Sequence, residues 1–166
     1  MGSNDAGQFG RDDYESELTP CRLYSDIETV VIGYNVIYAI NKNHELWVAG
    51  NGVLGLGETQ EAPLFQKVMD NVLSVSTSYT HAVAVKEDHT LWAWGSNKFG
   101  QLGNGTTTDS SIPVQVMEHV TTASAGYLHT AVITDNGEIW AFGRNNRGQL
   151  GDGTTIDSSH PIQILV

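Results

Sequence analysis

The strongest constraint on this chain is that it repeats itself. Residues 95–118, GSNKFGQLGNGTTTDSSIPVQVME, lie on residues 143–166, GRNNRGQLGDGTTIDSSHPIQILV, with 14 of 24 positions identical, no gap and a spacing of 143 − 95 = 48. The same shift carries His81 to His129 and Trp92 to Trp140. A shift of 93 lays residues 2–23 on 95–116 and pairs Gly7 with Gly100, Gln8 with Gln101 and Pro20 with Pro113. Trp47 lies on Trp92 at a shift of 45, and the loop 51–62 is five residues shorter than its counterpart in the next unit. A fixed period of this size is the mark of a repeat architecture.

Inside each unit the signals are those of short strands. The third unit offers four, at 113–116, 120–125, 129–133 and 138–142. Asp135-Asn136-Gly137 separates the last two and reads as a hairpin, because Asn and Gly accept the positive φ of a type I′ turn. Earlier units place Asn43-His44 and Asp88-His89 there, and Asn, Asp and His are the side-chain-bearing residues that best tolerate that region. HAVAV at 81–85 is apolar on both faces, which suits a strand between two neighbouring sheets. LWAWG at 91–95 puts Trp92 and Trp94 on one face. Trp47, Trp92 and Trp140 are expected to be largely buried between units. No amphipathic helix of useful length occurs.

Four strands in about 48 residues make the blade of a β-propeller. The residues resemble the regulator of chromosome condensation repeat. The likeness rests on W-x-W-G-x-N-x-x-G-Q-L-G-x-G (92–105), the PVQV that follows (113–116) and A-G-x-x-H-T-A-V (125–132). The first unit departs from it: Val36 replaces the histidine, Ala49 stands for Trp94 and the loop is shortened. The expected fold is all-β, a partial β-propeller of three complete four-stranded antiparallel blades. These are read as residues 20–49, 63–94 and 113–142, with 1–19 as an inter-blade segment and 161–165 as an extra first strand. Members of the family usually close a ring of seven blades, which 166 residues cannot do alone. Three expectations follow: an excerpt of a longer propeller, an open arc, or copies associating through their end blades.

Charge narrows the partners. Eight Lys and Arg against 19 Asp and Glu give −11, and the bases are scattered. Without a basic stripe, nucleic acid and anionic membrane are both disfavoured, and no apolar run reaches the roughly 20 residues of a span. The single cysteine, Cys21, excludes an intrachain disulfide and a cysteine zinc cluster. The start, Met-Gly-Ser-Asn, carries no secretory signal, so a complete chain would be cytoplasmic.

The chemistry-bearing candidates read mostly as structure. The run from Gly95 through Asn97, Gly100 and Gly103, repeated as Gly143, Asn145, Gly148 and Gly151, lacks the Lys-Ser/Thr ending of a P-loop and no helix follows. It reads as a turn with backbone capping by Asn4, Asn97 and Asn145. His81 and His129 share a repeat position but Val36 breaks the set, so side-chain to backbone bonding at a strand start is preferred over a metal site. Asn104, Asp109, Asp152 and Asp157 lack the ligand order of a calcium loop. Asp12, Asp13, Tyr14, Glu15 and Glu17 form an acidic cluster, a solvated loop or a docking patch for a basic partner. No cofactor, metal or catalytic residue is expected. The leading reading is a non-catalytic scaffold for a protein partner. Two alternatives stand beside it: a guanine nucleotide exchange regulator of a small GTPase, which the resemblance implies, and a propeller enzyme with a metal in its channel, which would need acids or histidines converging from several blades. The exchange-factor insertion and basic chromatin-binding tail of the founding member have no counterpart residues here.

Overall fold

The computed structural model describes residues 3–11, 15 and 25–165. These hold twelve strands: β1 (Ile27–Ile32), β2 (Val36–Asn41), β3 (Leu46–Asn51), β4 (Glu61–Met69), β5 (Val72–Thr77), β6 (His81–Lys86), β7 (Leu91–Gly95), β8 (Ser110–Met117), β9 (Val120–Ala125), β10 (His129–Thr134), β11 (Ile139–Gly143) and β12 (Ser158–Ile164). They form three antiparallel four-stranded sheets in simple meander order, β1 to β4, β5 to β8 and β9 to β12. The hairpins close where the sequence offers residues that accept positive φ: His44 at +58°, His89 at +62° and Gly137 at +83°.

The blades begin one strand later than the sequence reading placed them. The strand around Pro161 is not an extra first strand. It is β12, hydrogen-bonded to β11 with Trp140 opposite Gln163 and Ala141 opposite Ile162, and it completes its own sheet. The blades therefore span residues 27–69, 72–117 and 120–164. Proline explains the assignment. Pro63, Pro113 and Pro161 lie in β4, β8 and β12, each the edge strand of its sheet, where a missing N–H breaks no ladder. The strand expected at residues 20–23 lies outside the described residues.

Neighbouring sheets meet along their first two strands, β1 and β2 against β5, and β5 and β6 against β9. The first strands therefore line the inner side of the arc and the proline strands its outside. Strand β6 shows why the stack holds. All of His81–Val85 is buried; Ala82 and Ala84 face the first blade, Val83 and Val85 the third. Small residues on both faces let two sheets approach one strand. The first interface adds Tyr38, Leu46, Val48, Leu54 and Trp94, the second Leu91, Leu102, Val120, Val132 and Phe142. Tyr38 and Trp94 meet edge to face with ring centroids 5.9 Å apart, and the indole N–H donates to the Tyr38 hydroxyl at 2.9 Å. The Tyr38 hydroxyl in turn donates to the Val53 carbonyl, and burial pushes its pKa up.

Trp47, Trp92 and Trp140 are partly buried, each keeping a minor share of its surface in water; in the second and third units the fully enclosed aromatic is two residues further on, Trp94 and Phe142, where the first unit has Ala49. Position along the strand accounts for this. Trp92 and Trp140 lie one residue inside the start of β7 and β11, beside the hairpin tips, where an indole can keep its polar edge in reach of water. There Trp92 Nε1 donates to Thr90 Oγ1 at 2.9 Å with Lys86 Nζ 5.6 Å from the ring centroid, and Trp140 Nε1 donates to Glu138 at 3.3 Å.

Candidate interaction surface

One rim of the arc carries the turns β1–β2, β5–β6 and β9–β10 and the long loops that precede β4, β8 and β12. The loops before β8 and β12 are each a knot around one asparagine; the shorter loop before β4, residues 52–60, contains none. Asn97 Oδ1 accepts from Leu102 N at 2.9 Å, and its Nδ2 donates to Asn104 Oδ1 and to the carbonyls of Thr106 and Thr108. Asn145 repeats this with Leu150, Asp152 and Thr154, and Asn4 accepts from Phe9 N at 2.8 Å. Asp109 and Asp157 each accept from the backbone N–H of their loop's asparagine at 2.6 Å. All three asparagines are fully buried, so none is presented to a ligand.

These loops latch one blade to the next. Gly57 N donates to Ser111 O at 3.0 Å and Gly105 N to Ser159 O at 2.9 Å. Gly100 has φ +79° and sits so close to β12 that a Cβ would fall 2.4 Å from the Ser159 Cα; Gly148 has φ +71°, and a Cβ there would meet only the Thr154 carbonyl, at an ordinary contact distance of 3.7 Å. Gly103 lies under the Phe142 ring, Gly95 and Gly143 end β7 and β11, and Gly151 has φ +75°. The glycine run is a clamp between blades, with its backbone committed to the protein itself.

His81 lies at the junction of blades two and three. Its Nε2 is 2.8 Å from Thr130 Oγ1, and Thr130 Oγ1 donates to the Gln101 carbonyl at 2.8 Å. With its hydrogen so used, Thr130 accepts from Nε2–H, which leaves Nδ1 to accept from Ser78 Oγ, 3.1 Å away. The ring is thus bonded to two hydroxyls, Thr130 across the blade interface and Ser78 in its own β5–β6 turn, rather than to backbone at its strand start. Burial, with a smaller contribution from nearby His129, lowers its pKa to about 4. The His129 ring packs on Gly126. Among the described residues no group of three or more His, Cys, Asp or Glu converges to hold a metal.

The same rim presents three tyrosines. Tyr34, Tyr79 and Tyr127 occupy one position of the three inner turns and are 71%, 56% and 66% exposed. Tyr34 and Tyr79 have ring centroids 4.7 Å apart, Tyr79 and Tyr127 6.3 Å apart. Their turns are closed by Gly33 N to Val36 O, Ser78 N to His81 O and Gly126 N to His129 O, at 2.8 to 2.9 Å. Each is also held by its neighbouring strand: Asn35, Thr80 and Leu128 carbonyls accept from Asn51, Ser96 and Arg144. Thr80 Oγ1 donates to the Tyr127 carbonyl at 2.9 Å and ties the second turn to the third. The sequence held this signal, since 79 − 34 = 45 and 127 − 79 = 48 are the shifts that relate the tryptophans.

The opposite rim is charged and internally paired. His44 contacts Glu87, His119 lies 3.2 Å from Asp135, and Lys67 lies 2.8 Å from Glu45. Of the acidic cluster, Asp12, Asp13, Tyr14 and Glu17 lie outside the described residues; Glu15 is exposed.

The regulator of chromosome condensation (RCC1) repeat matches residues 88–133 and 136–166, and a second form of it residues 72–101 and 120–149. Together they cover 72–166, more than half of the chain, and the chain belongs to this repeat family. Among curated relatives, human probable E3 ubiquitin-protein ligase HERC6 is 29% identical over 61% of this chain and 11% of its own length. The ultraviolet-B receptor UVR8 of Arabidopsis thaliana is 31% identical over 61% of this chain and 26% of its own. Human WBSCR16 superposes with a TM-score of 0.84 at 24% identity, over 99% of this chain and 46% of that one. Yeast RCC1 (Prp20), solved bound to Kap60, gives 0.81 at 17%, over 100% and 44%. The chain thus spans less than half of these propellers and about a quarter or less of the curated relatives.

Proposed function

We propose that this chain is a non-catalytic protein-interaction module that binds through the tyrosine-bearing rim. The observation that carries the reading is the exposure of three aromatic rings at one repeat position, on turns each closed by a backbone hydrogen bond and tied by another to the neighbouring strand. Burying a tyrosine is favourable, so three that remain in water on a rigid frame form a surface open to a partner. The interlocked blades supply the rigidity, which lowers the ordering cost of binding. Yeast Prp20, a relative by fold, has been studied for binding to Gsp1p and histones, a precedent for protein partners on this scaffold. The test is affinity capture with the wild-type chain and a Tyr34→Ser/Tyr79→Ser/Tyr127→Ser variant of unchanged melting temperature. Partners retained by the first and lost from the second support the module; equal capture by both overturns the assignment to this rim.

A second reading, association of copies through the end blades, is favoured by the outer face of blade one. Phe9, Val30, Ile37, Ala39, Trp47 and Phe65 line an apolar cleft of about 570 Å³ there. The corresponding faces of blades two and three are covered by the preceding blade. Light scattering across concentration tests it, with a constant monomer mass as the contrary result.

A further inference from the structure

We infer that the tyrosine arc recognises a cationic side chain, Arg or Lys, carried by an extended basic segment of the partner. The inference rests on the interaction-module reading above and names the chemistry of its ligand. Tyr34, Tyr79 and Tyr127 recur in all three units while the residue before them is Gly33, Ser78 or Gly126 and the residue after them differs in every unit, Asn35, Thr80 and Leu128. Burial does not explain the repetition, because each ring is more than half exposed. What the position keeps is an aromatic face.

Three features select a cation. First, the three turns, residues 33–35, 78–80 and 126–128, contain no ionisable group other than the tyrosines, so an incoming carboxylate or phosphate finds no basic side chain in them. Second, the electron-rich face of an aromatic ring attracts Lys and Arg, and the rings here are tilted by 66° and 33° to their neighbours, offering faces at different angles along one arc. Beside Tyr34 and Tyr79, a cleft of about 240 Å³ lined by Asn35, Asn51, Val53 and Ser78 adds amide and hydroxyl oxygens that can accept from a guanidinium. Third, the chain's net charge of −11 draws a basic segment towards it and repels an acidic one. The molecule already uses the same contact internally: the Arg144 guanidinium lies 4.9 Å from the Phe99 ring centroid.

The test is a titration of the chain with short unstructured peptides, followed by the tyrosine ring resonances. One peptide carries arginines, a second citrulline at the same positions and a third glutamate. Citrulline keeps the size and planarity of the arginine head group, removes its charge and exchanges one terminal amino group for a carbonyl oxygen, so it retains three of the five N–H donors. The expected result is saturable shifts of Tyr34, Tyr79 and Tyr127 with the arginine peptide, and at least about fivefold weaker binding by the citrulline peptide. Tyr79→Leu, which removes the central ring's π face, is expected to weaken the arginine peptide by about fivefold, while Tyr79→Phe, which keeps it, stays within about twofold. Equal affinity for arginine and citrulline, equal loss in the Leu and Phe variants, or ring shifts that depend on protein concentration alone overturns the inference. If cellular partners are captured through the rim yet arginine shows no advantage, the interaction module stands and the cation assignment falls. If the arginine peptide binds but cellular capture ignores the rim tyrosines, the reverse holds.

Discussion

Acidification should loosen the joint between blades two and three through one histidine. His81 is fully buried, and its pKa is lowered from the ordinary 6.5 to about 4, first by burial and then by His129. A histidine whose folded pKa is depressed binds fewer protons folded than unfolded, so stability rises with pH across the interval. Its contribution is complete above the unfolded value of 6.5 and is lost as pH falls towards 4. Between pH 7 and pH 5 these two values imply a loss of about 2 kcal/mol. The geometry gives the cause: protonation would place the ring's second hydrogen on Nδ1, where Ser78 Oγ now donates from 3.1 Å, and would put a positive charge on a fully buried ring. Glu45, Asp88 and Asp152, whose pKa values are lowered by hydrogen bonds, act only below the ordinary carboxylate range and leave this window clear. The assay is urea unfolding followed by tryptophan fluorescence at both pH values, for the wild type and His81→Gln. The wild type should lose about 2 kcal/mol more than the variant on going to pH 5. Equal losses would refute the assignment of a neutral, hydroxyl-bound His81.

Other expectations follow from the latches and interfaces. Gly148→Ala, strained only by its positive φ, should cost about 1 kcal/mol, whereas Gly100→Ala adds a collision with the β12 backbone and should cost at least about 2, both by chemical denaturation. Trp94→Ala empties the first interface and leaves the Tyr38 hydroxyl without its donor, so it should cost about 3–5 kcal/mol; Trp92→Ala, at a partly buried position, should cost clearly less. Asn97→Ala strands the Leu102 N–H and several loop acceptors and should cost about 2 kcal/mol or more, with faster hydrogen exchange at Leu102 as the local sign.

The repeat made the fold legible, because a period with strand-length units and hairpin residues at fixed offsets leaves few architectures. What it could not give was the phase. A period of 48 is the same wherever the unit is cut, and the proline strand reads equally as the start of one blade or the end of the last. Only hydrogen-bonding to β11 decides it, and that contact crosses the loop 144–157. The tryptophans show a similar limit. Alternation puts Trp92 and Trp94 on one face, but depth along the strand, not face, determines which is enclosed. His81 was visible as a repeated residue; its partner Thr130 was not, because Thr130 corresponds to Ala82 and Ile37 in the other units and breaks the pattern that draws attention. The tyrosines obey the pattern, but an aromatic in a strand-rich repeat suggests core until its exposure is known.

Hydroxyl-radical footprinting of the chain with and without its captured partner tests the account most directly, because tyrosine rings are themselves the reporters. Tyr34, Tyr79 and Tyr127, 71%, 56% and 66% exposed in the free chain, should all lose reactivity in the complex while Trp47 and His119 do not. Unchanged tyrosines, with protection instead at the opposite rim or on the outer face of blade one, would contradict it.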